Sequence, residues 1–302
     1  MGSPEFAVPV LRALQADFRV IGVFTQPDKP KGRGREATPT PVKTTALSLG
    51  IPVLEPHKLT SEDTMAALER WRPDVIVVVA FGKILPQSIL GYPRLGCVNL
   101  HASLLPRHRG ASPIPHAILE GDEVTGLTTI LMDRGMDTGD ILLTHVIPIS
   151  EDDTAGSLHD KMLEPGARLV VETLKGLAHK TVELKPQDHD AATYTKLLAK
   201  EDGRVDWTRE AGYLSRLVRA MNPWPVAFFT HAGESVRIWV ASAIPGRGDP
   251  GAVVSTNDDG IAVGTGKDLL LLTEVQAPGK RRVSAAEFSH GRRLAVGDVL
   301  VA

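Results

Sequence analysis

A single cysteine, Cys97, stands in 302 residues. That excludes an internal disulfide framework and fits a reducing compartment such as the cytosol. No apolar run approaches the ~18 residues that a membrane-spanning helix needs. Pro4, Glu5 and Pro9 interrupt the apolar start, so no secretory leader is expected. Charge of either sign is not in excess. The formal net charge is -2, which gives no whole-chain field for nucleic acid and leaves any such binding to local patches. What is present is ordinary globular composition, 42% hydrophobic and 23% charged. The length suits one large or two ordinary domains.

The first half alternates strand and helix patterns. Phe18–Phe24, Ile51–Leu54 and Val75–Val79 read as strands, and their continuous apolar runs suit a parallel sheet covered on both faces. Helical patterns cover Phe6–Leu14, Val42–Leu49 and Ser61–Trp71, the last with Thr60 and Asp63 as a capping box. Leu127–Met132 and Ile141–Ile147 are strand-like, and Gly156–Leu174 is helical with Leu158, Met162, Leu169 and Val170 apolar. This alternation predicts an α/β, doubly wound domain. After Pro186 the chain turns polar. A helix over Arg209–Met221 and short strands at 227–230, 236–240, 251–254, 260–263 and 269–272 then predict a small β-barrel or sandwich. The boundary falls within 180–200, giving domains 1–185 and 201–302 with a linker at 186–200.

One run holds an amide, two imidazoles, a hydroxyl and two guanidinium groups: Asn99-Leu-His101-Ala-Ser103-Leu104-Leu105-Pro106-Arg107-His108-Arg109-Gly110. It follows a short apolar stretch, where α/β proteins keep their ligands. Asp137-Thr-Gly-Asp140 lies further on. Taken alone, Asn99 and His101 also read as loop-bonding residues and the Asp137 segment as a turn. Lys29, Lys31, Arg33 and Arg35, spaced by Gly32 and Gly34, form a basic loop that by itself reads first as a solvated surface and second as a contact for an RNA backbone. Lys280, Arg281 and Arg282 form a second basic patch, and Lys196 and Lys200 are weaker candidates. Arg107 and Arg109 read either as anion-attracting groups or as solvated charges. Trp207 and Trp224 are expected in the core and Cys97 as a small buried hydrophobe.

In combination these segments resemble the methionyl-tRNA formyltransferase family over nearly the whole chain. The opening Gly2-Ser-Pro-Glu-Phe-Ala-Val-Pro9, the basic loop, the Asn99-x-His101 run and Asp137-Thr-Gly-Asp140 carry the resemblance. So do Glu201-Asp-Gly-Arg-Val-Asp-Trp207 and Asn222-Pro-Trp-Pro225. The Asn-x-His and Asp elements alone mark only the wider formyltransferase superfamily.

The resemblance implies a Rossmann-like catalytic domain and a smaller, OB-like tRNA-binding barrel. It also implies transfer of a formyl group from the co-substrate 10-formyltetrahydrofolate to the α-amino group of initiator methionyl-tRNA. Such a step needs donors aimed at a developing oxyanion, which Asn99 and protonated His101 can supply. It also needs a proton relay, suited to His101 with Asp137 orienting it or favouring its charged form. Asn99 and His101 share one side if the chain is extended there. Ser103, Leu104, Leu105 and Pro106 are the implied folate segment, with main-chain groups for a pterin. Lys31, Arg33, Arg35, Lys280, Arg281 and Arg282 are the implied tRNA contacts, Arg33 aligning with the key arginine. No metal is called for, and a cytoplasmic monomer without a membrane partner is expected.

Three departures stand out. The family carries a strand before its Gly-x-Pro turn, so the first strand of the sheet is absent here, from a start set too far downstream or from trimming. Without it the chain is expected to fold poorly. His108 replaces the usual Trp, and Pro115 the usual Gln. Two competing readings use the same fold: a formyltransferase for a small amine such as glycinamide ribonucleotide or an amino sugar, and a non-catalytic RNA-binding relative. The basic loop and second domain oppose the first, and the intact Asn99, His101 and Asp137 oppose the second.

Overall fold

The computed structural model describes residues 1–31 and 36–301. Along the chain run α1 (Val8–Asp17), β1 (Val23–Phe24), β2 (Lys29–Lys31), β3 (Glu36–Thr38), α2 (Pro41–Ser48) and β4 (Val53–Leu54). Next come α3 (Glu62–Trp71), β5 (Ile76–Val79), α4 (Gln87–Leu90), β6 (Cys97–His101), β7 (Arg109–Gly110), α5 (Pro113–Glu120), β8 (Val124–Leu131), β9 (Asp140–Pro148) and α6 (Ala155–His179). The remainder comprises β10 (Tyr194–Thr195), α7 (Ala211–Ala220), β11 (Ala227–His231), β12 (Glu234–Ile244), β13 (Val253–Asn257), β14 (Gly260–Gly264), β15 (Leu269–Gln276), β16 (Val283–Ser284) and α8 (Ala285–Arg292).

The chain divides into two compact units. The first holds Met1–Gly110, Val124–Pro148 and His159–Tyr194; the second holds Ala111–Glu123, Ile149–Leu158 and Thr195–Ala302. Two stretches that precede residue 185 therefore pack in the second unit. Arg216 Nε donates to Leu119 O of α5, and Arg219 donates to Asp153 O. No local signal in the sequence announces such long-range bonds.

The first unit is α/β. Its main sheet has the order β5-β6-β8-β9, with β5 and β6 parallel. β8 and β9 are added antiparallel through a hairpin, so this sheet is mixed and not the all-parallel one read from the apolar runs. The apolar stripe of α6 is buried: Leu158, Met162, Leu169 and Val170 are at most 6% exposed. Helix starts follow side-chain caps. Thr40 accepts the Lys43 N–H at α2. At α3 the cap is Ser61 and not Thr60, because the Ser61 N–H bonds Lys58 O and places Ser61 at the helix boundary, where it accepts the Thr64 N–H. Cys97 is buried among Ile89, Leu90 and Val78 in this core, and burial pushes its thiol up to about 12.

Of the strand expected over Phe18–Phe24 only Val23–Phe24 forms, paired with β4 in parallel. The position between β1 and β5 is occupied by just two residues. Gly2 donates to Phe24 O, Val79 donates to Met1 O, and the Met1 ammonium donates to Val77 O. Beyond them an apolar cavity of about 510 Å³ opens, lined by Leu11, Leu14, Ile21, Leu68, Trp71 and Val75 among others. Residues 19–22 have no strand partner on that side, which accounts for the short β1.

The second unit is built on antiparallel strands in the order β11-β12-β15-β14-β13, with β16 added to β15. This is an open path of strands. Alternation along β12 buries Val236 and Ile238 and exposes Arg237. Gly260 closes the β13–β14 turn at φ 142°, where a side-chain carbon would stand 2.1 Å from Leu272 O. Trp207 is buried as expected, but Trp224 is 57% exposed. It sits in the turn between α7 and β11, whose buried anchors are Met221 and Val226.

The Met1 ammonium, desolvated by burial, falls from its usual 8.0 to about 5.

Candidate active site

Strand β6 carries Asn99 and His101 on one face, two residues apart, while Val98 and Leu100 are buried on the other. Val78 and Ile130 flank Asn99 in the sheet, and Thr128 flanks His101. The site thus lies where the parallel pair β5–β6 ends, as in other open α/β sheets. Asn99 and His101 are 8% and 6% exposed, so both work in a largely dry setting.

Asp137 comes from the loop joining β8 to β9. Asp133 organises that loop by accepting from Gly135 N and Thr138 Oγ1 at 3.0 and 2.6 Å. Asp137 itself is held at φ 54°. Gly139 lets the loop lie against β8, since a side-chain carbon there would stand 1.9 Å from Leu131 O. The loop delivers the Asp137 carboxylate to both strand residues. Asn99 Nδ2 donates to Oδ1 at 3.3 Å, Gly110 N donates to Oδ2 at 2.8 Å, and His101 Nδ1 lies 3.6 Å from Oδ2.

The imidazole's other nitrogen decides its chemistry. His101 Nε2 is 2.8 Å from the His108 carbonyl, which can only accept, so Nε2 carries a proton. Nδ1 is then the nitrogen with a free lone pair, and it faces the carboxylate. Protonation there creates an ion pair already in place. The 3.6 Å separation is long for a hydrogen bond and leaves room to tighten on that change.

The following segment is less open than its sequence implied. Ser103 and Leu105 are buried, and Leu104 packs toward Gly126 of β8. Thr128 Oγ1 donates to Ser103 O and accepts from Leu105 N; Arg107 N donates to Leu104 O. Ser103 Oγ donates to Arg107 O. Several main-chain groups read as free for a pterin are therefore engaged within the turn. Arg109 is neither a surface charge nor an anion-attracting group: it is 1% exposed, bonded to Gln187, Tyr194 and His189. Arg107 is exposed.

His108 is buried, held at φ 57° with its N–H on Thr193 Oγ1, and serves the site through its carbonyl. That role is open to any side chain, so its departure from the family's Trp leaves the His101 contact intact. Pro115 lies in α5, and nothing in the structure explains its substitution.

Arg33 and Arg35 lie outside the described residues. Lys31 ends β2, opposite Glu36 in the hairpin with β3. The root of that hairpin is tied down by Lys43, which bridges Asp28 and Glu55 at 2.7 Å each. The Lys43 hydrogen bond holds the Asp28 carboxyl below its usual range. In the second unit Arg282 stacks on Trp239, Arg281 bonds Glu287, and Lys280 is exposed. Lys196 is paired with Asp202.

A second cavity, of about 640 Å³, is lined by Ser3, Gln26, Thr40, Thr45 and Ala80 among others. Asn99, His101 and Asp137 line neither cavity. Among the described residues no cluster of His, Cys, Asp or Glu has the grouping of a metal site, and no helix is long and apolar enough to cross a membrane. Sequence reasoning missed the His108 carbonyl and Gln187. Backbone groups leave no trace in composition, and Gln187 lies in a polar stretch read as a linker.

Comparison with known proteins gives the same reading. Residues 2–174 match the family described as Formyl transferase, and residues 197–293 its C-terminal domain. A methionyl-tRNA formyltransferase from Pseudomonas putida is 46% identical over 302 residues, covering 99% of this chain and 97% of that protein. Another from Desulfotalea psychrophila is 46% identical over 99% of this chain and 94% of its own length. In fold, the chain is similar to an N-formyltransferase from Helicobacter canadensis solved with folinic acid and dTDP-3-aminofucose. Its TM-score is 0.66 at 17% identity, over 91% of this chain and 97% of that one. A carboxylate-backed Asn-x-His pair at the end of a parallel strand, in a chain this similar throughout its length, has one placement: it belongs to the methionyl-tRNA formyltransferase family.

Proposed function

We propose that this chain transfers the formyl group of 10-formyltetrahydrofolate to the α-amino group of initiator methionyl-tRNA. The observation that carries the reading is the convergence of Asn99, His101 and Asp137 on one largely buried point. This occurs in a chain whose relatives of that activity are similar from end to end. An amide donor beside a carboxylate-backed imidazole fits a carbonyl that gains charge next to an amine that loses a proton.

When bound, the folate supplies the formyl carbon, which forms its new bond to the amine as its bond to the folate nitrogen breaks. One Asn99 N–H is spent on Asp137, and the other is left for the formyl oxygen, where it stabilises the developing oxyanion. His101 Nδ1 takes the proton released by the attacking amine and returns one to the leaving nitrogen. Asp137 stabilises the imidazolium between those two transfers and keeps the ring aimed, while the His108 carbonyl holds Nε2 protonated throughout. The site's dryness strengthens each of these interactions relative to water.

The turn Ser103–Pro106 is the folate segment in this reading. With Ser103 O and Leu105 N already engaged, its contribution falls to the half-buried faces of Leu104 and Pro106 and to the carbonyls of Leu105 and Pro106. Lys31, Arg33 and Arg35 take the acceptor end of the tRNA in this reading, and the Asp28–Lys43–Glu55 bridge fixes the chain just before β2. Exposed Lys280 and Arg281, with Arg282 stacked on Trp239, add a second RNA-facing patch. An OB-like barrel for the second unit is supported by its C-terminal strip. Val253 donates to Asp298 O, Leu300 to Gly251 O, and Thr230 and Val301 exchange hydrogen bonds, so the strip joins both ends of the open strand path. A cytoplasmic monomer is consistent with a translation enzyme whose one cysteine is buried.

The decisive assay measures formyl transfer to charged initiator tRNA against free amines. Activity only on the charged tRNA is expected; turnover of a small amine in its place would defeat the proposal. His101→Ala and Asp137→Asn should each lower kcat by roughly 10²- to 10⁴-fold with tRNA affinity preserved, and a near-normal rate in either would refute the mechanism. Arg33→Ala should lower kcat/KM for the charged tRNA and spare folate binding. Unchanged kinetics would remove the loop from the tRNA contact.

A further inference from the structure

Every residue from Glu183 to Ala191 is exposed except Gln187, which is 6% exposed. A polar amide, and not an apolar side chain, anchors this stretch. All four of its hydrogen-bonding capacities are spent. Oε1 accepts from Arg109 Nε and Nη2 at 3.1 and 2.7 Å, while Nε2 donates to Asp137 O and Gly139 O at 2.8 and 2.7 Å. One side chain therefore joins the two loops that meet at the active site.

What each loop holds gives the joint its meaning. Arg109 stands between His108, whose carbonyl keeps His101 Nε2 protonated, and Gly110, whose N–H holds Asp137 Oδ2. The Arg109 side chain is locked from several directions, by Gln187, by Tyr194 Oη at 3.2 Å and by His189 Nδ1 at 3.2 Å. Its own N–H bonds Thr193 O at 2.8 Å. On the other loop, Gln187 grips the main chain on both sides of Thr138, where Asp137 holds its left-handed conformation. The Asp137 carboxylate and the His101 ring are thus positioned by the same buried link.

We propose that Gln187, acting through Arg109, is a positioning residue that sets the His101–Asp137 geometry in formyl transfer. This rests on the function proposed above. A shift of about 1 Å at a reacting group can cost ~100-fold in rate, so a link of this kind should show in kcat and not in substrate binding.

Two substitutions separate the halves of the link. Gln187→Met removes both. Gln187→Glu keeps an acceptor for Arg109 but replaces the donors to Asp137 O and Gly139 O with a repulsive carboxylate. Both should lower kcat about 10- to 100-fold with KM for either substrate within about threefold. Nitrogen-15 spectra of the His101 ring supply a readout that needs no turnover. The Nε2–H tautomer should persist in Gln187→Glu, where Arg109 stays held, and give way to a mixture in Gln187→Met. Either variant keeping kcat within about twofold, or raising KM alone, overturns the proposal. So does failure of both variants to fold, which would make Gln187 a packing residue only. If the unsubstituted enzyme formylates nothing while the His101 spectra respond as stated, the link stands and the assigned reaction falls; unresponsive spectra overturn the link itself.

Discussion

A carboxylate placed beside a nearly dry imidazole is costly unless its oxygens are satisfied and its position is held. Asp137 meets that cost with the Asn99 amide and the Gly110 N–H, while the His101 ring faces its second oxygen. Much of the first unit is arranged around this requirement. The left-handed turn at Asp137, the side-chain-free approach of Gly139 to β8 and the burial of Arg109 all serve to bring one carboxylate to one strand end. The His108 carbonyl fixes the imidazole's tautomer, which leaves Nδ1 as the nitrogen able to gain a proton.

At the opposite flank of the sheet lies an apolar cavity. Met1 and Gly2 pair β1 with β5 only at their C-terminal ends, nearest the site, and an apolar cavity occupies the rest of that position. Strand β6, which carries Asn99 and His101, is shielded from this cavity by β5, paired with its residues 97–100, and is flanked on its other side by β8.

Legibility followed locality. The i, i+2 spacing of Asn99 and His101, the apolar runs of β5 and β6, the stripe of α6 and the small buried Cys97 depend on neighbours in the chain, and each emerged where the residue pattern placed it. The differences come from contacts, some distant and some local, that residue type alone does not announce. Arg109, read as either an anion-attracting group or a solvated charge, is buried on partners about eighty positions away. Thr60 loses the α3 cap to Ser61 through a bond to Lys58. The Phe18–Phe24 strand shrinks for want of a neighbour, and the expected parallel sheet turns mixed at β8. Trp224, by its size a core residue, stands outside because its turn is anchored by Met221 and Val226.

By itself the sequence determined the chemistry available: an amide and an imidazole on one strand face, an aspartate in a glycine turn, basic loops apart from them, and the family that combines them. Side-chain identity and short-range periodicity are properties of the chain, so they survive without coordinates. Only the tertiary structure decided which nitrogen of His101 carries the proton, which atoms satisfy Asp137, and that Gln187 joins their two loops. Those outcomes depend on backbone carbonyls, which every residue possesses, and N–H groups, which all but proline possess, and only folding selects which of them meet.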